Sequence, residues 1–252
     1  HVAGKVDPIS DKEIIDTELQ LKDLESIEKM MIKVQRSAKA GDAKAKKELA
    51  SLEKYKNHLE QGLNARSLDA TEDDKETVSE LNLLTDKPVI YAANVDENSM
   101  NDGNEFSKAL AEHVKNENAQ VVLISASIEA QIAELTDPEE KEMFLAEYGL
   151  KESGLNKLVR ASYELLDLIT YFTPGVKEVR AWTIGKGWKA PQAAGVIHSD
   201  FEKGFIRAEV IKLKDYQEYK SEAKIKEAGK MAVEGKDYVV QDGDIMHFRF
   251  NV

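Results

Sequence analysis

Pro88-Val89-Ile90-Tyr91-Ala92-Ala93-Asn94-Val95-Asp96-Glu97 is an apolar run that stops at an Asn-x-x-Glu element. A second apolar run, Gln120 to Ile124, stops at Ser125-Ala126-Ser127. Between the two, Asn104 to Asn116 has helical spacing, with Phe106, Leu110 and Val114 on one face. Strand, helix, strand predicts a doubly wound α/β unit whose ligand loops lie at the C-terminal ends of the strands. Both polar elements fall at those ends. Residues 128–135, 138–148 and 155–166 read as short helices that continue the unit.

Upstream, Ser10-Asp11-Lys12-Glu13 has capping-box spacing and predicts a helix start at Ser10. Ile14, Ile15, Leu19, Leu24, Ile27, Met31 and Val34 follow at intervals of three and four, until Ala40-Gly41-Asp42 breaks the run. A second helix carries Ala45, Leu49, Leu52, Tyr55, Leu59 and Leu63. Two long helices joined by a short Gly turn predict an antiparallel hairpin with a coiled-coil-like seam, inserted into the α/β unit. The dense Lys and Glu between seam positions read most simply as solvated faces, with a specific binding surface as the other reading. The acidic segment Thr71 to Glu80 leads back towards the strand at Val89 to Ala93.

From Leu168 the pattern changes. Ile169 to Phe172 and Val179 to Ile184 flank Thr173-Pro174-Gly175, which predicts a β-hairpin. A helix from Pro191 to a stop at Gly204, with Ala194, Ile197 and Phe201 on one face, follows. Phe205 to Ile211 and Ile245 to Val252 read as strands; Met246, Phe248, Phe250 and Val252 would share a buried side. Two strands, a helix and further strands is β-grasp order, the ubiquitin-like plan.

The 252 residues contain no cysteine and no apolar run approaching a membrane span, which fits a reducing compartment, the cytoplasm by default. A net charge of −12 argues against a chain that coats nucleic acid over its whole surface. Asp167 to Val252 is nearly balanced, with 14 Lys and Arg against 13 Asp and Glu, so the last third is the expected polyanion contact. There Lys186, Trp188, Lys189, Lys203 and Arg207, with Trp182, interleave rings and positive charge, as RNA binders do. Core packing of the aromatics is the competing reading. The five histidines lie too far apart for ligand spacing, so no metal site is expected, and no nucleophile constellation names a catalytic residue.

Arg180-Ala181-Trp182-Thr183-Ile184, Lys189-Ala190-Pro191-Gln192-Ala193-Ala194-Gly195 and His198-Ser199-Asp200-Phe201-Glu202-Lys203-Gly204-Phe205-Ile206 resemble the TGS domain of the Obg-like ATPases of YchF type. Val6-Asp7-Pro8, the Asn94–Glu97 element and Asp242-Gly243-Asp244 resemble the same family in the same order. The likeness implies a P-loop NTPase of the translation-factor class that uses ATP and Mg²⁺. Its implied partner is the ribosome, the large subunit or a 70S-type particle, with RNA contact; neither a membrane nor specific DNA is expected. It also implies a four-part division: 1–18 with 82–150 as part of a G domain, 19–81 as the coiled-coil insertion, 151–166 as a connecting helix and 167–252 as the TGS domain.

In this family setting Asn94, Val95 and Glu97 occupy the Asn-Lys-x-Asp position, whose final carboxylate reads guanine, and Ser125, Ala126 and Ser127 form the second base-contacting element. Lys is replaced by Val95 and Asp by Glu97. A misplaced carboxylate no longer discriminates against adenine, so ATP is the expected nucleotide. Asn94, whose amide gives and takes hydrogen bonds, suits the adenine edge; a strand-end cap is its alternative role, a solvated loop carboxylate that of Glu97, and a helix-capping serine that of Ser125.

One departure limits the resemblance. No G-x-x-x-x-G-K-[ST] and no Asp-x-x-Gly occurs within these residues; Gly185-Lys186, Gly229-Lys230 and Gly235-Lys236 lack the rest of the pattern. Without amides and a lysine around the phosphates, transfer has no charge neutralisation, so the 252 residues alone are expected to be inactive. The abrupt His1-Val2 start suggests the C-terminal portion of a larger ATPase. A non-enzymatic RNA- or ribosome-binding adaptor is the alternative function.

Overall fold

The computed structural model describes residues 5–117, 119–175 and 178–251. The chain divides into two compact units, 1–161 and 162–252.

The first unit opens with α1 (Pro8–Lys39). Its cap is Asp7, not Ser10: the Asp7 carboxylate accepts from the Ser10 N–H at 3.1 Å, and Pro8 fills the first helical position, where no N–H is needed. Gly41, at φ +98°, makes the turn into α2 (Ala43–Glu60), which Asp42 caps. Ile27, Val34 and Ala38 pack against Ala45, Leu52, Tyr55 and Leu59 in one buried seam, closed at its base by Ala65, Val78 and Leu83. Three expected seam positions fail. Ile14 and Ile15 are exposed, and Leu63 lies beyond the helix because Gly62, at φ +74°, has ended it. Polar Gln20 and Asp23 take the inward positions near the base.

Helix α3 (Glu72–Ser79), with a Thr71–Asp74 capping box, leads back to β1 (Ile90–Asn94). Helix α4 (Glu105–His113) crosses to β2 (Gln120–Ile124), and the strands pair in parallel from Ile90↔Gln120 to Asn94↔Ile124. Helices α5 (Ala126–Glu134), α6 (Pro138–Glu147) and α7 (Gly154–Leu165) follow. Val95, Met100, Ile128 and Leu150 form the core beneath the strand ends.

The second unit is a five-stranded sheet. Strands β3 (Leu168–Pro174) and β4 (Val179–Gly185) form the expected antiparallel hairpin. The expected helix from Pro191 is two helices, α8 (Ala190–Ile197) and α9 (Ser199–Lys203), because His198 is extended, at φ −161°, and caps α9 through its ring. After β5 (Phe205–Lys212), α10 (Leu213–Tyr219), α11 (Glu222–Glu227) and β6 (Ala232–Glu234) intervene before β7 (Asp244–Phe250). Spatial order is β4-β3-β7-β5-β6, with β3 and β7 parallel and every other pair antiparallel. Tyr171, Ile184, Ala193, Ala208, Val210 and Met246 build the main core, Phe248 packs on it, and Phe250 stacks on Phe201 at 3.7 Å. Val252, expected on that face, lies outside the described residues. Gly204 is required by packing: a Cβ there would meet the Asn251 carbonyl at 1.9 Å.

Candidate functional site

The parallel pairing of β1 and β2 brings the two polar elements onto one rim. Asn94 ends β1 and Ser125 follows β2, and the pairing continues one step further, with the Val95 N–H donating to the Ile124 carbonyl at 2.8 Å. The Asn94 Oδ1 accepts from the Ala126 N–H at 3.1 Å, tying the strand end to the first turn of α5. Its Nδ2 has no hydrogen-bond partner among the described residues, so the amide keeps donors for a ligand. Ser125 is buried, with its hydroxyl 3.1 Å from that of Ser127. Ser127 in turn donates to Glu97 Oε1 at 2.9 Å.

Of the six residues expected to meet a base, five therefore fall in two neighbouring hydrogen-bonded groups: Asn94 with Ala126, and Ser125 with Ser127 and Glu97. Val95 points the other way. Its side chain is buried with Met100, Ile128 and Leu150, so any contact with a base comes from its backbone and not from its isopropyl group. The second group also includes Gln131, whose Nε2 lies 3.4 Å from Glu97 Oε1. Its signal in the sequence was its place one turn after Ser127 on α5, which only acquires meaning once Glu97 is seen to lie over that helix face.

The residues at this rim fit a purine base and not a triphosphate with its metal. Asn94 offers donors and the Ser127 hydroxyl a further polar contact. No cluster of acidic or imidazole side chains suited to a metal ion occurs among the described residues.

A second polar constellation sits at the base of the hairpin. Lys12 Nζ contacts Asp16 at 2.6 Å and Glu117 at 2.7 Å, Arg66 reaches Glu117 at 3.4 Å, and the Tyr91 hydroxyl donates to Glu117 at 2.9 Å. Burial pulls the Lys12 ammonium down, but its bonds to Asp16 and Glu117 outweigh burial and hold its pKa above the ordinary value. Glu117 is the mirror case: burial pushes it up, while Lys12, Tyr91 and Arg66 hold it below its ordinary 4.5. Burial, then Glu117, raises Tyr91 to about 12. Nearby, Asp23 is 2 % exposed and accepts from the Leu84 N–H, the Thr85 N–H and the Thr85 hydroxyl, each at 2.7 Å. A cleft of about 630 Å³ opens here between Lys12, Gln20, Asn64, Arg66 and His113. Lys12, Asp16, Arg66 and Glu117 in its wall bond one another and no buried polar side-chain atom among the described residues lacks a partner, so the cleft is a consequence of how the hairpin is anchored. Sequence gave no sign of it, since Lys12, Arg66 and Glu117 are far apart in the chain.

In the second unit, Lys186 lies in the turn after β4, Lys189 caps α8, Lys203 is on α9 and Arg207 on β5, all exposed. Lys189 is paired with Asp237 at 2.7 Å. Trp188 covers Gly185, and Trp182 donates to Thr173 Oγ1 under the Arg180 guanidinium, 4.1 Å from its ring. Both indoles thus have intramolecular packing roles.

Comparison with known proteins adds to this geometry. Residues 168–251 match the family model YchF-GTPase_C, described as a protein of unknown function (DUF933). Over the whole chain, the ribosome-binding ATPase YchF of Bacillus subtilis is 52% identical, the match spanning 69% of that protein. The protein of the same name from Escherichia coli O157:H7 is also 52% identical over the same share. Among solved structures, the Schizosaccharomyces pombe YchF GTPase superposes with a TM-score of 0.82 at 36% identity, covering 99% of this chain and 68% of that one. A GTP-binding protein from Pyrococcus horikoshii OT3, 20% identical with a TM-score of 0.58, shares the fold.

Proposed function

The chain belongs to the YchF family, and from that premise we propose that it is the base-recognising and partner-binding part of an ATP-preferring NTPase that acts on ribosomes. The observation that carries the nucleotide reading is the rim where Asn94 and Glu97 meet Ala126 and Ser127 across two parallel strand ends. Glu97 spends one oxygen on Ser127 and Gln131. A carboxylate held against α5 in this way is not free to pair with both the ring N–H and the amino group of guanine, which removes the usual penalty on adenine. Asn94, with Nδ2 to donate, matches a ring-nitrogen acceptor of adenine.

ATP and Mg²⁺ belong to this function, but the phosphate and metal contacts come from segments other than these residues, which contain no phosphate-loop motif. The 252 residues by themselves therefore bind no nucleotide tightly and turn none over. The four-part division set out above, a partial G domain, coiled-coil insertion, connecting helix and TGS domain of β-grasp type, accompanies this reading. Parallel central strands with a helix packed on one face support its last part. The relatives named for ribosome binding supply the partner.

Turnover tests the proposal. Full-length protein containing this chain is expected to hydrolyse ATP faster than GTP, and residues 1–252 alone to hydrolyse neither. Faster GTP turnover by the full-length protein, or ATP turnover by the 252 residues, would contradict it.

A further inference from the structure

Two carboxylates stand side by side just past β1, and the fold treats them differently. Asp96 is consumed by its own turn, where it accepts from the Asn98 N–H at 3.0 Å and from the Ser99 hydroxyl at 2.8 Å. Glu97 reaches away from that turn to α5, where its Oε1 accepts from the Ser127 hydroxyl at 2.9 Å and from Gln131 Nε2 at 3.4 Å. Its Oε2 has no partner among the described residues. Of the two, Glu97 is the carboxylate that a base could meet, and α5 decides where it stands.

The fold does not need the donors that hold it. Ser127 and Gln131 stand four apart on α5, so they share one side of the helix, and both are exposed. The helix itself is fixed by Ile128, which is fully buried with Val95, Met100 and Leu150. Gln131 adds nothing to that core. Its Nε2 lies 3.4 Å from Glu97 Oε1 and 3.4 Å from the Ser127 carbonyl oxygen, so its two amide hydrogens have two acceptors, one on the helix backbone and one on the carboxylate. Holding a long side chain in this way on a solvated face costs conformational entropy, and among the described residues the side chain it holds in place is that of Glu97.

We propose that Gln131 is a positioning residue that sets the choice of base: with Ser127 it clasps Glu97 onto α5, and so withholds a carboxylate that would otherwise accept both donors of guanine. Guanine offers a ring N–H and an amino group, whereas adenine offers a ring-nitrogen acceptor that a carboxylate repels. A released Glu97 favours guanine, and a clasped one leaves adenine unopposed. The inference rests on the adenine reading of the Asn94 rim proposed above, and adds to it a residue that acts only through Glu97.

The test uses full-length protein containing this chain, with ATP, GTP and inosine triphosphate competing against a fluorescent ATP analogue. Q131E puts a like charge beside Glu97 and is expected to push it off α5, raising GTP affinity relative to ATP about tenfold. Inosine triphosphate, which lacks the amino group, should gain less, about threefold. Q131K, whose ammonium holds the carboxylate where the amide did, should keep the GTP-to-ATP ratio within about twofold of the unaltered protein. In E97Q/Q131E the gain should vanish, because the released group is no longer a carboxylate. A general loosening of the rim would weaken all three nucleotides together and could not move Q131E and Q131K apart.

The same shift in Q131E and Q131K would overturn the inference. So would a gain in GTP affinity that survives in E97Q/Q131E, which would assign the gain to the introduced carboxylate itself, and so would an equal gain for inosine triphosphate, which would remove the amino group from the contact. If the unaltered protein prefers ATP and Q131E leaves that preference intact, the adenine reading stands and the Gln131 assignment fails. If the unaltered protein prefers GTP and Q131E raises that preference further through Glu97, the adenine reading fails and the positioning role stands.

Discussion

Strand β1 carries a polar side chain near each end of its contact with the rest of the unit, and the two are treated in opposite ways. The Tyr91 hydroxyl donates to Glu117, which is also bonded by Lys12 and Arg66, so that every partner in the cluster is committed. Three residues on, Asn94 makes one bond to the Ala126 N–H and keeps its Nδ2 donors. The saturated cluster fixes the helical hairpin to the sheet, whereas the rim at Asn94 has bonding capacity left over. Saturation marks architecture; spare, positioned donors mark a place for a ligand.

The comparison is sharpened most strongly by removing an architectural group. Asp23→Ala leaves two backbone N–H groups and a hydroxyl without their acceptor in a buried place, and is expected to cost about 3 kcal/mol in denaturant unfolding of the first unit. A cost below about 1 kcal/mol would mean that the hairpin base is not held by this carboxylate.

Glu117→Gln comes next, at about 1–2 kcal/mol, with a pH signature. The folded-state carboxyl lies below its ordinary 4.5, so its contribution is fully present above that pH and is lost as pH falls through the lower folded value. Thermal melts from pH 6 down to pH 3 should show a steeper loss for the unaltered chain than for the glutamine variant. Parallel curves would remove Glu117 from the account of acid lability.

Asn94→Ala has the smallest expected effect on folding, under about 1 kcal/mol, because the N–H it releases at the start of α5 is exposed and can turn to water. A loss as large as that at Asp23 would move Asn94 into the architectural class and erase the contrast between the two ends of β1.

These differences explain what was legible in the sequence. The hairpin could be read because apolar spacing and Gly41-Asp42 are local signals, and the rim could be read because each apolar run stops at a polar residue. The helix start was displaced because Asp7 and Ser10 are both competent caps, and it is Pro8 in the first helical position that favours the earlier one. The kink at His198 was hidden by continuous helical spacing on either side of it. Neither the Lys12–Glu117–Arg66 cluster nor the contact of Glu97 with Ser127 was readable, since each joins residues whose separation along the chain carries no periodic signal. Val95 was expected to give backbone and packing contacts beside a base, and alternation past the strand end turns its side chain into the core, which leaves its backbone at the rim.

The central claim, that the Asn94 rim reads an adenine base, is tested most directly by competition binding of ATP and GTP to the full-length protein with Asn94 intact and with Asn94→Ala. Tighter binding of ATP by the unaltered protein is expected, with an about tenfold loss of ATP affinity in the variant, the size of one lost ligand hydrogen bond. Tighter binding of GTP, or ATP affinity indifferent to the loss of Asn94, would contradict the account.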